Sequence, residues 1–445
     1  MKTFITRLFA GVLITLFSGA DGLAQNKEWK LEECIKYALS KNIQVQKANL
    51  TNNVNQLYSS QAQTSRLPSL GASVGQNFNW YKGFDSSTGQ YGSSNGSNST
   101  NYSVSSSISI YNGQKLNNKV KLAELNLQAG YFNAETVKES VGLNILNAYL
   151  QVLYANESVS NAEKQIEATT SQLALANERL NLGVISKSDY LLIKSELAAE
   201  KSTLADAQSQ LSIYKVTLMQ LMELPVEPNF RISSPNLDSL LIQNKQPDSR
   251  EIYNLALGIK PQIKNAELIK ESSRIDVKIA KADFFPSLSM NTGLSSSYSS
   301  LTAGSGYSSQ LKNKINPAIG LSLSIPIFQK NQVKTNVQVA NIAVSQAEYD
   351  EMNTKNQLRK NIEQACVDVT SAQIKYAASL EENQSTQESY DVSTEKFKQG
   401  LMNSVDYLFE KTKLITSESK LLQSKFNQIF SYKVLDFYKG IPLTL

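Results

Sequence analysis

The chain has no histidine among its 445 residues, which removes the commonest general base and the commonest metal ligand. Its two cysteines, Cys34 and Cys366, lie far apart in sequence with neither metal-site nor disulfide-framework spacing and read as small packing residues. There is no Walker-type phosphate loop, dinucleotide fingerprint or nucleophile elbow. The net charge of +5 is spread thinly, with no basic cluster suited to nucleic acid. No catalytic centre, cofactor site or metal site is therefore predicted, and an enzyme is disfavoured. Proline is also missing from two long stretches, Gln114 to Leu180 and Gln329 to Phe397. Both keep helical spacing throughout, and at about 1.5 Å per residue each would reach ~100 Å, too long for a globular core helix.

The amino terminus is built differently from the rest. Lys2 and Arg7 precede an apolar run from Leu8 to Phe17 and then small residues up to Ala24. That order reads as a secretory signal peptide over residues 1–24, too short to cross a membrane as a helix. No cysteine stands near its end, so a lipoprotein-type anchor is not indicated.

The remainder repeats itself. Glu178, Gly183, Asp189, Tyr190 and Leu191 recur at constant spacing as Glu395, Gly400, Asp406, Tyr407 and Leu408. Each set has a glycine where one helix should stop and Ser, Asn or Asp where the next should start, so each reads as the tip of a helical hairpin. The tips fall at 180–189 and 397–406. The first repeat is assigned to 25–225, a surface linker with Pro228, Pro235 and Pro247 to 226–250, and the second repeat to 251–445. In the returning helices Tyr190, Leu197, Leu204, Leu211 and Leu218 are each seven apart. Their copies are Tyr407, Leu414, Leu421 and Leu435, with Gln428 breaking the series, and such a seam signals coiled-coil packing.

Each repeat opens with a helical pattern, to about Arg66 and to about Phe285, that ends at Pro-Ser-Leu. There the period changes to two. Leu70, Ala72, Val74, Phe78 and Trp80 alternate with Gly71, Ser73, Gly75, Asn77 and Asn79. Similar alternation returns through Tyr102, Val104, Ile108 and Ile110, through Leu288, Met290, Leu294 and Tyr298, and through Ile319, Leu321, Leu323, Ile325 and Ile327. The expected strand pairs are 69–81/101–111 and 287–298/317–328, with mobile loops at 81–100 and 299–316. One apolar face against a Ser, Gly and Asn face fits strands crossing a membrane in a barrel; four strands of a soluble sandwich would also alternate.

A signal peptide and then, twice over, helix, strand pair, very long helix, Gly-x-x-x-x-x-Asp-Tyr-Leu tip and returning helix resembles the TolC family of outer-membrane efflux proteins. The resemblance covers essentially the whole mature chain. It implies a mainly α fold with a transmembrane β-barrel: a homotrimer sharing one 12-stranded barrel in outer-membrane lipid, continued by a coiled-coil α-helical barrel in the periplasm. It implies an efflux or type I secretion channel, docked through a periplasmic adaptor to an inner-membrane pump. Lipid-facing positions would be Leu70, Val74, Phe78, Val104, Ile108, Leu288, Met290, Leu321 and Leu323. Adaptor contacts would fall on Gly183, Val184, Ile185 and Ser186 and on Gly400, Leu401, Met402, Asn403 and Ser404. Val184, Ile185, Leu401 and Met402 are expected to be exposed, the alternative being that they close the tip. Asp406 falls where the family carries an acid near the periplasmic gate, with Asp189 its copy. The usual second acid is Phe409 here, and the competing reading makes both aspartates helix-end residues. A trimeric coiled-coil surface adhesin and a periplasmic scaffold remain as alternatives.

Overall fold

The computed structural model describes residues 28–235, 237 and 246–445, so the signal-peptide assignment and part of the linker lie outside the described residues. The chain divides into two compact units. One combines the chain through Lys47 with Thr136–Lys260 and Leu358–Leu445, and the other combines Ala48–Glu135 with Pro261–Gln357.

Helix α1 (Leu31–Lys41) is followed at once by α2 (Ile43–Thr64), and α5 (Ser249–Ile259) by α6 (Pro261–Ala282). The sequence pattern runs through both junctions, but the backbone does not. At the first, buried Asn42 ends α1, and its Oδ1 accepts the Gln44 amide at 2.9 Å while its Nδ2 donates to the Leu221 carbonyl at 3.0 Å. At the second, Lys260 takes an extended conformation before Pro261, whose ring disfavours helix in the residue ahead of it. The long helices are α3 (Lys115–Asn181) and α8 (Gln332–Lys398), and the returning ones α4 (Lys187–Leu221) and α9 (Ser404–Tyr438).

The repeat is exact in helix length. α1 and α5 both have 11 residues, α2 and α6 22, α3 and α8 67, and α4 and α9 35. In the first unit a hydrophobic cluster gathers Leu31, Cys34 and Ala38 of α1, Ile145, Tyr149 and Leu153 of α3, and Leu218, Met219 and Met222 at the end of α4. The stretch assigned as a surface linker joins it. Phe230, Ile232 and Leu237 are buried there, and β4 (Arg231–Ile232) pairs in parallel with β1 (Glu28–Trp29). Tyr149 ties the pair down, its hydroxyl 2.7 Å from the Ser233 carbonyl and 3.1 Å from that of Trp29. Burial pushes the Tyr149 hydroxyl well above its usual pKa.

The second unit carries a four-stranded antiparallel sheet in the order β2-β3-β5-β6, with β2 at Ser69–Asp85, β3 at Gln90–Tyr111, β5 at Ser287–Ser299 and β6 at Asn316–Ser324. The strands depart from expectation at their ends. β2 and β3 run on through most of the predicted loop 81–100 to a tight turn, where the Gly89 amide donates to the Asp85 carbonyl at 2.9 Å and Gly89 has φ +65°. The predicted loop 299–316 holds a short helix, α7 (Tyr307–Asn313). β6 stops at Ser324 because Pro326 cannot extend the ladder, which leaves Ile325 and Ile327 beyond the strand.

Candidate docking tips and apolar sheet face

The two hairpin tips share one local design. At the first, the Val184 amide donates to the Arg179 carbonyl (2.9 Å) and the Gly183 amide to that of Leu180 (3.0 Å), with Gly183 at φ +71°. At the second, Leu401 bonds to Lys396 (2.9 Å) and Gly400 to Phe397 (3.1 Å), with Gly400 at φ +75°. Both are Schellman turns, and a left-handed residue at that position is the reason each needs glycine.

The next helix begins three residues on. Ser186 Oγ accepts the Asp189 amide at 3.1 Å, and the Asp189 carboxylate accepts the Ser186 amide at 3.3 Å, a reciprocal capping box. Asn403 and Asp406 repeat half of it, with the Asp406 amide donating to Asn403 Oδ1 at 2.8 Å and Asn403 Nδ2 donating to the Asp406 carboxylate at 2.8 Å. Hydrogen bonds from the Ser186 hydroxyl and then from Ser404 hold the Asp189 carboxyl below its usual pKa. Both aspartates thus fill the helix-end role. Phe409 is exposed, and Lys413 Nζ lies 4.3 Å from its ring centroid, so one turn beyond Asp406 the helix carries a cation over an aromatic ring.

The four apolar tip residues divide. Ile185 and Met402 pack against a small core of Ala176, Ile193, Phe397 and Tyr407, whereas Val184 and Leu401 are 66% and 73% exposed. The expectation that all four are exposed therefore fails for Ile185 and Met402, which close the tips. Ser404 is buried as well, while Asn403 is exposed. Leu182 and Val405, not singled out from the pattern, join Val184 and Leu401 as exposed apolar residues.

Sequence reasoning missed what holds the hairpins to each other. Arg179 donates to the Phe397 carbonyl at 3.0 Å, which also accepts the Gly400 amide, and to that of Lys398, one of the carbonyls that the end of α8 leaves open. Within the second hairpin, Tyr407 stacks on Phe397 with ring centroids 4.7 Å apart, and its hydroxyl lies 2.6 Å from that of Tyr390. Deeper along the helices, Lys411 donates to Glu200 and to Thr169, and all three are buried. The positions equivalent to Thr169 and Glu200 in the second repeat are neutral, Thr386 and Ser417, with their hydroxyls 2.6 Å apart. An interior-facing lysine in a heptad pattern was the available signal.

In the other unit, strand register sorts the nine residues predicted to share a face. Val104 lies opposite both Ala72 and Leu294, Ile108 opposite Met290, Leu288 opposite Leu323, and Met290 opposite Leu321. Partners across an antiparallel pair share a face, so Leu70, Val74 and Phe78 on β2 fall on it too. Leu70, Val74, Phe78, Leu321 and Leu323 are all at least 60% exposed in the single chain. Among the described residues no helix is long and apolar enough to cross a membrane.

The outer membrane efflux protein family model matches residues 34–223 and 252–434, one match for each repeat. The chain belongs to the outer membrane efflux protein family. The outer membrane protein TolC of Escherichia coli K12 is 25% identical over 394 residues, covering 83% of this chain and 74% of its own length. The toxin and drug export protein A of Aggregatibacter actinomycetemcomitans is 23% identical, covering 91% of this chain and 84% of its own. The outer membrane channel CmeC of Campylobacter jejuni superposes with a TM-score of 0.75 at 17% identity, over 94% of this chain and 86% of its own. As a family member the protein is an outer-membrane efflux channel that extends into the periplasm. The matched relatives are channel and export proteins rather than enzymes.

Proposed function

We propose that three copies of this chain close one 12-stranded barrel in the outer membrane, continued by a periplasmic helical tunnel. An adaptor and an inner-membrane pump engage it through the exposed tip residues. The observation that carries this reading is the pair of open sheet edges. β2, with 17 residues, and β6, with 9, each have one neighbour among the described residues of the chain. Backbone groups at an open edge cannot be left in hydrocarbon, and the smallest ordinary membrane barrels need about eight strands. Four strands must therefore recruit others, and the family to which the chain belongs supplies the count of three. The mainly apolar face supplies the surface that lipid would cover, and Leu182, Val184, Leu401 and Val405 supply apolar tips with no cover of their own.

Arginine on the proposed lipid face tests the barrel. Val74→Arg and Leu321→Arg should each cost about 2–4 kcal/mol near mid-membrane and lower the yield of heat-resistant assembly in the outer-membrane fraction, whereas Ser73→Arg, on the other face of β2, should cost less. Wild-type assembly by both apolar-face variants would refute the face assignment.

A further inference from the structure

The segment joining β5 to β6 does not hang free from the sheet. Ser296 Oγ donates to the Leu311 carbonyl at 2.6 Å. The Tyr307 hydroxyl lies 2.8 Å from that of Tyr102, and the Tyr307 ring centroid is 4.7 Å from that of Tyr298. Tyr102 stands opposite Ser296, two positions along from the Val104–Leu294 pair. Tyr102, Ser296 and Tyr298 therefore belong to the apolar face, and α7 is folded back over the end of that face. Thr100, on the same face and opposite Tyr298, is buried.

Gln310 locks this arrangement and is itself only 2% exposed. Its Oε1 accepts the Ser299 amide at 3.0 Å, and its Nε2 donates to the Ser299 and Ser305 carbonyls at 3.1 and 3.0 Å. Lys314 Nζ donates to the same Oε1 at 2.8 Å, and Lys312 is exposed on the last turn of α7.

Geometry places this segment at a membrane border. The 13 residues of β5, at ~3.4 Å each and with a tilt of about 35–45°, rise roughly 31–36 Å, against an apolar band of about 25 Å. The strand is therefore longer than the hydrocarbon is thick, and its last residues, Ser296 to Ser299, are the ones that α7 and its flanks cover. Charge points to what lies there. No acidic residue occurs between Asp283 and Glu348, and only Asp85 occurs between Glu33 and Glu124. Lysines near the hairpin ends, Lys82, Lys312 and Lys314, thus stand in a region almost without carboxylates, beside tyrosines of the kind that settle at lipid–water borders.

We infer that α7 and its flanks form a cuff on the outward face of the barrel, bound to the phosphate headgroups of outer-leaflet lipid through Lys312 and Lys314, with Tyr102, Tyr298 and Tyr307 at the headgroup level. The inference rests on the lipid-facing reading of the apolar face. Were that face turned inward, the same segment would lie in the lumen.

The test uses the full-length protein in phosphatidylcholine vesicles with or without diphosphorylated lipid A. Cys34 and Cys366 are buried, so Ser309→Cys and Val74→Cys can carry single fluorescent probes. A quencher attached to lipid should reach both probes. Lipid A should shield the Ser309 probe from aqueous iodide at least threefold, and free inorganic phosphate should not reproduce that protection. Lys312→Gln, at an exposed side chain, should abolish the lipid A effect, while Lys314→Arg should retain it. Quenching at Val74 but not at Ser309 would overturn the cuff while leaving the lipid face standing, and quenching at neither would overturn the lipid face itself. Equal protection in wild type and Lys312→Gln would remove the phosphate contact.

Discussion

Lys411 and Glu200 are 3% and 6% exposed, and their ion pair joins α9 to α4 with Thr169 of α3 as a third partner. A buried charge left without its partner costs far more than the pair contributes. Lys411→Met alone should therefore destabilise the protein by about 3–5 kcal/mol, whereas Lys411→Met combined with Glu200→Leu should come close to wild type; thermal denaturation of the two singles and the double would decide. Additive losses in the double variant would show that packing, not the uncompensated charge, sets the cost. The tip aspartates pose a different question. Asp189 and Asp406 both close helix starts, a contribution of about 0.3–1 kcal/mol from the helix dipole. The Asp189 carboxyl is held below its ordinary pKa by its hydroxyl partners, so its share is present at neutral pH and is lost only as pH falls through that depressed value. If Asp406 also lines a cation-selective entrance, Asp406→Ala should lower cation selectivity and divalent block in single-channel recordings while Asp189→Ala changes them much less. Equal small effects would leave only helix capping.

Among the elements, the helical hairpins are duplicated residue for residue in length, while the strand hairpins differ: 17 and 22 residues in the first, 13 and 9 in the second. A helix pair that keeps a seven-residue seam in register tolerates no length change within one copy. A strand pair can lengthen at its turn without disturbing the sheet below. At the tips, a Cβ on Gly183 or Gly400 would meet nothing within 4 Å, so the cost at the backbone of placing a side chain there is that of the left-handed conformation, roughly 1–2 kcal/mol each. Gly183→Phe with Gly400→Phe should therefore leave assembly in the outer membrane intact while blocking the surface beside Val184 and Leu401. Transport should be abolished, measured as efflux in cells lacking the wild-type copy. Normal transport by the double variant would rule out the tips as the docking surface.

For the whole molecule, closure is the governing constraint. Among the described residues β2 and β6 are the edge strands of the four-stranded sheet, so each must find its neighbour on another copy if the sheet lies in lipid. A cysteine on each edge strand, at Val74 and Leu321, joined by a short bifunctional reagent in intact membranes, should give covalent dimers and trimers and nothing larger. Products limited to monomer would deny the shared barrel, and a ladder continuing past three would deny closure at that number.

The sequence by itself determined the duplication, the tips, the place where helical period gives way to strand period, and which residues of each strand lie on one face. All of these follow from spacing along a single segment, and the glycine and the capping residues at each tip are local necessities. Only the tertiary structure decided which of these residues meet. Ile185 and Met402 look like Val184 and Leu401 in the pattern, yet the first two close a core and the other two do not, because the core is assembled from four helices distant in sequence. Residues 226–250 read as linker by their prolines, but Ile232 pairs beside Trp29, a contact that no local spacing encodes. The cuff was hidden for the same reason. Gln310 is one polar residue among serines in the sequence and becomes the lock of α7 only when Ser299, Ser305 and Lys314 are brought around it.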